Sequence, residues 1–285
     1  MATIININSA IIKVLKSRTF SRLLPGLIIL VPLILISLLA PYLPLQDPVM
    51  ANPGDRQQPP SLKHFFGTDV FGMDVFSRVL HATRIDISIA VLTVLLAVFI
   101  GSTLGAVAGY FGGILELLVD RMAEIVQSFP LMLFALLIQV AVGSSVTNLV
   151  WIIAIRISPF YAKLVRSIVK PLRDIDYIQA AKLAGQTPLQ ILFHHLIPNA
   201  LPAIISQFPL SASVSVRVLA GLSFLGLGVK TPTPEWGSMI QIGASWMMFG
   251  KWWSSVFPGL VMFLTIWSLT QIGEEIESMY TLKEQ

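Results

Sequence analysis

Long apolar runs without a single charge decide what this chain can fold into. Leu23 to Gln46 form the first such run, and Ile87 to Leu115 form the second. A helix that crosses a bilayer core of roughly 30 Å needs about 20 apolar residues. Charged residues make up only 12% of the chain, against about 25% in an ordinary soluble domain. These runs predict an all-α polytopic membrane protein.

The later apolar runs bring the predicted number of transmembrane helices to six. Residues 125–155 are too long for one helix and contain Gly143-Ser144-Ser145, which predicts two helices joined by a short turn. Several prolines interrupt the next run, so we expect it to span the membrane only from about Pro198 to Leu227. Trp252 to Gly273 form the last span.

The N-terminal run has two interpretations, a first span or a cleaved signal peptide. The apolar part of a signal peptide is about 7–15 residues long and ends at a small-residue cleavage site. The run at residues 23–46 is longer, which favours an uncleaved helix. We therefore divide the chain into an N-terminal segment 1–22, a first transmembrane helix 23–46, a loop 47–84, a helical core 85–277 with five further spans, and a tail 278–285.

The positions of lysine and arginine predict the orientation of the spans, because basic residues in short loops mark the cytoplasmic side. Basic residues crowd the segment before the first span and the connection between the fourth and fifth spans, whereas acidic residues offset them in the loop 47–84. The two basic groups are Lys13, Lys16, Arg18 and Arg22, and Lys163, Arg166, Lys170, Arg173 and Lys182. Both termini are therefore predicted to be cytoplasmic, and the loop 47–84 extracytoplasmic.

The second span carries a glycine at every fourth position, namely Gly101, Gly105 and Gly109. Residues at this spacing lie on one face of a helix, and the absence of side chains there lets another helix approach closely. The pattern predicts a packed bundle of several helices.

The connection between the fourth and fifth spans has the pattern of two short helices. Asp174 or Asp176 is suited to cap the first helix, and Gly185 to end it with a positive φ. Thr187-Pro188 then suits the start of a second short helix, Leu189 to Leu196. Such a pair forms a compact knob whose small alanines suit docking into a partner's groove. An ordinary helix pair on the membrane surface is the alternative.

The same connection resembles a motif of a known transporter family. Gln179-Ala180-Ala181, then Gly185 and His195-Leu196-Ile197-Pro198, look like the EAA loop of ABC importer permeases, with Gln179 in place of the usual Glu. In that family the loop forms the coupling helix that inserts into the ATP-hydrolysing subunit. The resemblance implies a coupling loop at residues 170–198. Its implied contact residues are Asp176, Gln179, Ala180, Ala181, Gly185, Pro188, His195 and Pro198.

Two further motifs resemble the peptide and nickel importers of that family. Residues 66–78 are similar to their external F-G-T-D-x-x-G-R-D-x-x-S-R motif, with Met73 where Arg is usual, and residues 222–237 are similar to their L-S-F-L-G-L-G and P-T-P-x-W-G run. The resemblance implies an external signature loop with Gly67, Thr68, Asp69, Asp74 and Arg78. From the residues alone, an amphipathic segment that anchors the second span at the membrane surface is the alternative.

The resemblance implies a type I ABC importer permease fold in the bacterial plasma (inner) membrane. Such a subunit pairs with a homologous second permease subunit around a path for dipeptides, oligopeptides, nickel or metal chelates. An extracytoplasmic substrate-binding protein delivers the cargo. Two ATP-binding subunits use ATP-Mg and drive a two-state switch through the coupling loops. Membrane lipid is a further partner, and no nucleic acid is expected.

The sequence lacks the motifs of several enzyme classes. It contains no G-x-x-x-x-G-K-[ST] loop, no H-E-x-x-H and no G-x-S-x-G. Its four histidines lack a metal-ligand spacing, and a chain without cysteine has no thiol chemistry and no Cys-based zinc site. We therefore expect a non-catalytic subunit that binds neither a metal nor a cofactor of its own.

Two arginines lie inside apolar runs, where a charge is costly and is usually functional or paired. Arg217 is predicted to face the translocation path and to meet a substrate carboxylate or an acidic partner side chain. A structural pair between helices is the alternative. We interpret Arg156 as structural, because we expect the cytoplasmic end of its helix to be close. Ser223, in the L-S-F-L-G-L-G motif, is the second candidate for the translocation path.

An ion-coupled secondary transporter is the main alternative class. It would show inverted repeats and broken midplane helices with acidic residues, whereas this chain has no visible internal repeat and the charges inside its spans are basic. A membrane enzyme is the weaker alternative, since the sequence shows no catalytic constellation.

Overall fold

The computed structural model describes residues 18–281, and this range is almost entirely helical. Its only extended pairing is one β-bridge between Thr68 and Asp74. Lys13, Lys16 and Glu284, which belong to the predicted cytoplasmic ends, lie outside the described residues. The α-helices are α1 (Arg18–Leu39), α2 (Val75–Phe111), α3 (Gly113–Ser128), α4 (Leu131–Val142), α5 (Val146–Leu172), α6 (Asp176–Leu183), α7 (Pro188–Ile191), α8 (Ile197–Phe224), α9 (Trp236–Ala244) and α10 (Trp253–Thr281).

Five helices of the described range are long and apolar enough to span a membrane, and a sixth span results if α3 and α4 are counted together. These two helices meet at an angle of 90°. The break lies at Phe129-Pro130, because proline disfavours a helical conformation in the residue before it; Phe129 has the extended φ of −87° and ψ of 137°. The sequence analysis predicted the break at Gly143, which is confirmed, but missed this one.

Several helices end at other residues than predicted. The first helix ends at Leu39, before a 3₁₀ turn at Ala40–Tyr42, rather than at Gln46. Helix α2 begins at Val75, inside the predicted loop 47–84, and stops where Gly112 takes a φ of +66°. The second short helix of the connection is no separate element, because a π-helical turn at Leu192–Leu196 joins α7 to α8.

Helix α5 is the element that differs most from its prediction. It continues to Leu172, so three of the basic residues assigned to the connection lie on a helix and contact α3. Arg166 forms an ion pair with Asp120, and Lys170 lies 2.7 Å from a Glu116 carboxylate oxygen. Lys163, the third, donates to a side chain of α3 as well. On α3 itself, Arg121 lies 2.6 Å from a carboxylate oxygen of Glu124, so Asp120 and Arg121 have different partners.

The glycine face of α2 packs on α5, in the most extensive helix pair of the described chain. A Cβ atom on Gly101 would lie 2.3 Å from the backbone oxygen of Ser158, and one on Gly105 would lie 2.3 Å from that of Ala162. Side chains at these positions would push the helices apart. The predicted close-packing face is confirmed.

The coupling loop and the external signature loop lie at opposite ends of the molecule. The continuous helix from Pro188 to Phe224 has 37 residues, which corresponds to about 55 Å at 1.5 Å per residue. It begins in the coupling loop, and the segment after its end carries Pro232, which contacts Arg78 of the external signature loop.

Candidate functional site

The external signature loop, residues 66–78, requires two of its glycines. Gly72 has a φ of +79°, and a Cβ atom there would lie 1.8 Å from the backbone oxygen of Asn52. Gly67 has a φ of +71°, and its Cβ atom would lie 2.6 Å from the backbone oxygen of Gln58. Since L residues avoid this conformation and the space is filled, both positions demand glycine.

The two aspartates of this loop hold its backbone in place. Asp69 Oδ1 accepts hydrogen bonds from the backbone N–H groups two and four residues later, at 2.8 and 2.9 Å. Asp74 caps α2 through the N–H of Ser77 at 2.8 Å, and its other oxygen lies 2.9 Å from His64 Nδ1. Burial raises the pKa of Asp69, and the backbone N–H groups and Arg78 oppose this effect.

Thr68 connects the loop to the preceding segment and to α10. Its backbone oxygen accepts from Trp253 Nε1 at 3.0 Å. Its hydroxyl accepts from the N–H of Gln58 at 2.8 Å and donates to the backbone oxygen of Asp55. The hydrogen bond from Lys63 lowers the pKa of the half-buried Asp55. Thr68 therefore has a structural role at the junction of three chain segments.

Arg78 holds together parts of the chain that are far apart in sequence. Its side chain is 1% exposed, and Nη1 donates to the backbone oxygens of Pro48 at 2.6 Å and Pro232 at 3.0 Å. The Met73 sulfur lies 2.7 Å from the same nitrogen, and a carboxylate oxygen of Asp69 lies 3.6 Å from Nε. The five predicted residues of this loop are all buried; Asp69 and Arg78 form an ion pair, and a β-bridge joins Thr68 to Asp74.

The first helix of the coupling loop ends as predicted but starts differently. Gly185 has a φ of +80° and follows the helix end. Neither Asp174 nor Asp176 caps the start, because the capping position is Ile175, which has no side-chain acceptor, and Asp176 is the first helical residue. The capping prediction is wrong for this helix.

The second helix of the coupling loop starts at the predicted residues. The Thr187 hydroxyl accepts from the N–H of Gln190 at 3.3 Å, and the Gln190 side chain accepts from the N–H of Thr187 at 2.8 Å. Pro188 occupies the first turn, where its missing N–H leaves no gap in the hydrogen bonding. This capping box fixes the angle at which the chain re-enters the helix that leads into α8.

The coupling loop has one buried face and one exposed face. Ile178, Ile191 and Leu196 are buried in the core of the bundle, whereas Leu183 is 90% exposed and Leu189 is 66% exposed. Of the predicted contact residues, Ala181 is buried, His195 is half-buried, and the exposed ones are Asp176, Gln179, Ala180, Gly185, Pro188 and Pro198.

Two of the predicted contact residues make hydrogen bonds within the coupling loop itself. Gln179, at the position of the usual Glu, donates to the backbone oxygen of Arg173 at 3.3 Å. His195 Nε2 lies 2.9 Å from the side-chain oxygen of Gln186. The first contact ties α6 to the end of α5, and the second ties the link between α6 and α7 to the π-helical turn that leads into α8.

The two candidates for the translocation path have different surroundings. Arg217 is exposed on α8 and has no hydrogen bond or ion pair to another described residue. Ser223 is 3% exposed, and its hydroxyl accepts from the N–H of Val229 at 3.4 Å. Its position supports a role in closing the turn after α8 rather than in lining a path.

Arg156 is placed differently from its prediction. Helix α5 continues beyond it to Leu172, more than four turns at 3.6 residues per turn. The expectation that the helix end is close is therefore wrong. Arg156 is half-buried, donates from Nη2 to the backbone oxygen of Phe129 at 3.2 Å, and lines a cavity of about 280 Å³ between α4, α5 and α8.

Comparison with known proteins decides the family. Residues 101–274 match the family described as the binding-protein-dependent transport system inner membrane component. The chain belongs to this family. This permease is 38% identical over 249 residues to the dipeptide transport system permease protein DppC of Alkalihalophilus pseudofirmus. The matched residues cover 87% of this chain and 82% of that protein. The permease is 36% identical over 250 residues to the glutathione transport system permease protein GsiD of Pectobacterium atrosepticum, with 87% and 82% covered.

The permease also resembles a solved structure, the crystal structure of an amino acid ABC transporter with histidines. The TM-score is 0.53, the sequence identity is 17%, and the match covers 72% of this chain and 94% of that one. At this identity the likeness concerns the fold alone. It agrees with the predicted all-α permease fold.

The sequence analysis did not predict the roles of two buried carboxyl groups, those of Glu235 and Asp86. The two carboxyl oxygens of Glu235 accept from the N–H groups of Gly237 at 2.8 Å and Ser238 at 2.7 Å, which caps α9. Asp86, from α2, accepts from the N–H of Trp236 at 3.0 Å. Burial raises the pKa of Glu235. The position of Glu235 directly before Trp236 could have predicted the cap of a helix that begins there. No local pattern predicts the contact of Asp86 with Trp236, which lies 150 residues later in the chain.

Proposed function

We propose that this permease forms, with a homologous second permease subunit, the translocation path of an ATP-driven importer for dipeptides or oligopeptides. The exposed apolar face of the coupling loop carries this proposal. The two relatives named above are permeases for dipeptides and glutathione, and glutathione is itself a tripeptide. They favour a peptide cargo over nickel or a metal chelate.

The coupling loop offers a surface that a partner subunit would bury. Leu183 and Leu189 extend from adjacent short helices and are largely exposed, next to the small side chain of Ala180. An exposed apolar patch on a turn of this kind marks an interaction site. The partners would be two ATP-binding subunits, which use ATP-Mg, because this chain has no phosphate-binding loop of its own.

The same assignment fixes the orientation of the permease in the bacterial plasma membrane. ATP-binding subunits are cytoplasmic, so the coupling loop faces the cytoplasm and the external signature loop faces outward. An extracytoplasmic substrate-binding protein would approach that outer end. Six spans, with α3 and α4 counted as one, keep both termini on the cytoplasmic side, in agreement with the basic residues there.

Arg217 is the residue of α8 that the proposal assigns to the path. A charged side chain that faces lipid in a span is costly, and such residues face a water-filled cavity or a partner. Since Arg217 is exposed and has no partner among the described residues, its side chain would face the second permease subunit or the cargo between the two subunits.

The experiment replaces Leu183 by Asp in the complete importer, reconstituted into proteoliposomes with its ATP-binding subunits and binding protein. A buried carboxylate without a partner is strongly unfavourable, so we expect the ATP-binding subunits to be retained about tenfold less well, as a loss of about 1.4 kcal/mol gives. ATP-dependent uptake of labelled alanyl-alanine should fall with it.

The matched control is Leu62→Asp, because Leu62 is 94% exposed and lies before the external signature loop. This variant should keep both the ATP-binding subunits and the uptake. Unchanged retention in Leu183→Asp would contradict the coupling surface. Uptake that a proton or sodium gradient drives in the absence of ATP would contradict the importer class and support a secondary transporter.

A further inference from the structure

The cavity between α4, α5 and α8 has the features of a small-molecule site. Its volume of about 280 Å³ is near the lower end of the roughly 300–1,000 Å³ of ligand pockets, which are mostly apolar with a few polar groups. The polar side chains of this lining are Arg156, Gln207 and Ser211. Its apolar wall consists of Leu131, Ile157, Phe160, Leu210 and Val214.

Arg156 has unused hydrogen-bond donors in this cavity. A guanidinium group carries five N–H donors, and the only described acceptor is the backbone oxygen of Phe129, 3.2 Å from Nη2. The Nε atom is buried without any hydrogen-bond partner. Phe129 offers its oxygen because it lies at the break between α3 and α4, so the bend of the chain holds the guanidinium at the cavity wall.

The other two polar groups of the cavity also retain free donors. Gln207 makes no hydrogen bond to another described residue. The Ser211 hydroxyl accepts from the Tyr161 hydroxyl at 2.9 Å, which leaves the proton of Ser211 available for an acceptor. One cation and two neutral donors around an apolar hollow match an anion that carries an apolar group.

We propose that this cavity is a carboxylate-binding subsite, in which Arg156 binds the C-terminal carboxylate of a small peptide. Arginine pairs with carboxylates through two parallel hydrogen bonds, and Phe160 and Val214 would contact the adjacent apolar side chain. The peptide as ligand rests on the proposed function. An acidic side chain of the second permease subunit has the same chemistry but would fill only part of the cavity.

The position of Arg217 connects the subsite with the rest of α8. The residues of α8 that line the cavity are Gln207, Leu210, Ser211 and Val214, which is the spacing of one helix face. Arg217 follows Val214 by three residues on that face, a rise of about 4.5 Å. A carboxylate that moves along α8 from the outer end towards the cytoplasm would thus meet Arg217 before it reaches Arg156.

The test uses the absence of cysteine from the native chain. A Val214→Cys variant of the assembled importer in nanodiscs reacts with an anionic and a cationic methanethiosulfonate reagent, and the modification of this chain is followed by mass spectrometry. We expect Arg156 to favour the anionic reagent, so that adding Arg156→Gln lowers the anionic-to-cationic rate ratio about tenfold or more, as a nearby unpaired charge requires. Arg156→Lys, which retains the charge, should keep the ratio.

The matched control is Arg121→Gln, because Arg121 is exposed on α3 and paired with Glu124, and it should not change the ratio. An unchanged ratio in Arg156→Gln would overturn the proposal, since it means that a partner's acidic group already neutralises Arg156. This measurement requires neither ATP nor uptake. If ATP-driven uptake fails while the selectivity persists, the proposed function is wrong and the carboxylate subsite stands.

A second measurement identifies the ligand. Millimolar alanyl-phenylalanine should slow the reaction of Val214→Cys with neutral N-ethylmaleimide at least about threefold, whereas the C-terminal amide of the same dipeptide should not. Arg156→Gln should remove the protection. Equal protection by acid and amide, or protection by neither, would overturn the assignment of the subsite to a peptide carboxylate.

Discussion

Two arginines on membrane-spanning helices of this permease have opposite surroundings. Arg78 is 1% exposed, and it contacts two backbone oxygens and the carboxylate of Asp69. Arg156 is half-buried, contacts one backbone oxygen, and has a buried Nε without a partner. The Nε of Arg78 also lacks a hydrogen bond, but a carboxylate oxygen of Asp69 lies 3.6 Å from it. Both are charged groups outside bulk water, and only Arg78 forms an ion pair within the described chain.

The difference separates structural from functional cations. Removing a charge from water costs free energy unless partners replace the water. Arg78 recovers this free energy from contacts that close the external signature loop. Arg156 has one backbone acceptor and Arg217 has no partner within the described chain. The proposals above assign the missing partners to the cargo or to a second permease subunit.

The largest expected effect is the replacement of Arg78 by Leu. The change removes the cation opposite Asp69 and the donor of the backbone oxygens of Pro48 and Pro232, and breaking a buried pair costs about 3–5 kcal/mol. Thermal unfolding in detergent should show a clearly lower Tm and a lower yield. The matched control is Arg84→Leu on the same helix, because Arg84 is exposed. Equal Tm values for the two variants would contradict the structural role of Arg78.

A smaller effect is expected for Arg217→Leu, and it concerns transport rather than stability. The variant loses no contact within the described chain, so its free energy of unfolding should stay within about 0.5 kcal/mol of the native value. Its Tm should therefore change little. ATP-driven dipeptide uptake should fall at least about tenfold, which corresponds to about 1.4 kcal/mol. Arg217→Lys should retain part of the uptake. Unchanged uptake in Arg217→Leu would remove it from the path, and failed subunit assembly would indicate a structural pair.

The smallest effect is the pH dependence that Glu235 contributes. Burial raises the pKa of Glu235 above its usual 4.5, so the folded protein holds the proton more tightly than the unfolded chain. Stability from this group is therefore fully present below about pH 4.5 and declines as the pH rises through the higher folded value. In Glu235→Gln the Tm should lose this decline with pH.

The control for this measurement is Glu124→Gln, because Glu124 is an exposed partner of Arg121 and should leave the pH profile of the Tm unchanged. Glu235→Gln also removes one acceptor at the start of α9. This loss should lower the free energy of unfolding by about 1 kcal/mol at every pH, and so lower the whole Tm profile. A profile parallel to that of the native protein would show that Glu235 does not produce the decline.

Features that depend on neighbouring residues were predictable. The close-packing face of Gly101 and Gly105, the break at Gly143 and the end of a helix at Gly185 are all confirmed. Each follows from helix periodicity or from the conformational freedom of glycine. The sequence analysis missed the 90° bend at Pro130, because a long apolar run around one proline fits a kinked helix as well as a broken one.

The contacts of the candidate sites were not predictable in the same way. Arg78 has partners 30 and 154 residues away, and Glu235 shares the start of α9 with Asp86, 150 residues from Trp236. Arg156 was interpreted as structural because α5 was expected to end near it. Its true position depends on α5 continuing to Leu172, where Arg166 and Lys170 pair with α3.

The sequence alone determined that this chain spans a membrane and which face of α2 packs closely, because these properties depend on hydropathy and periodicity along the chain. The bend between α3 and α4, on which the number of spans depends, appeared only in the tertiary structure. Only the tertiary structure decided which buried charges have partners. Whether a charge is compensated depends on groups that folding brings within about 4 Å. That is why Arg78, with an ion pair and two backbone acceptors, belongs to the scaffold, whereas Arg156 and Arg217 are the arginines to which we assign a ligand or a partner subunit.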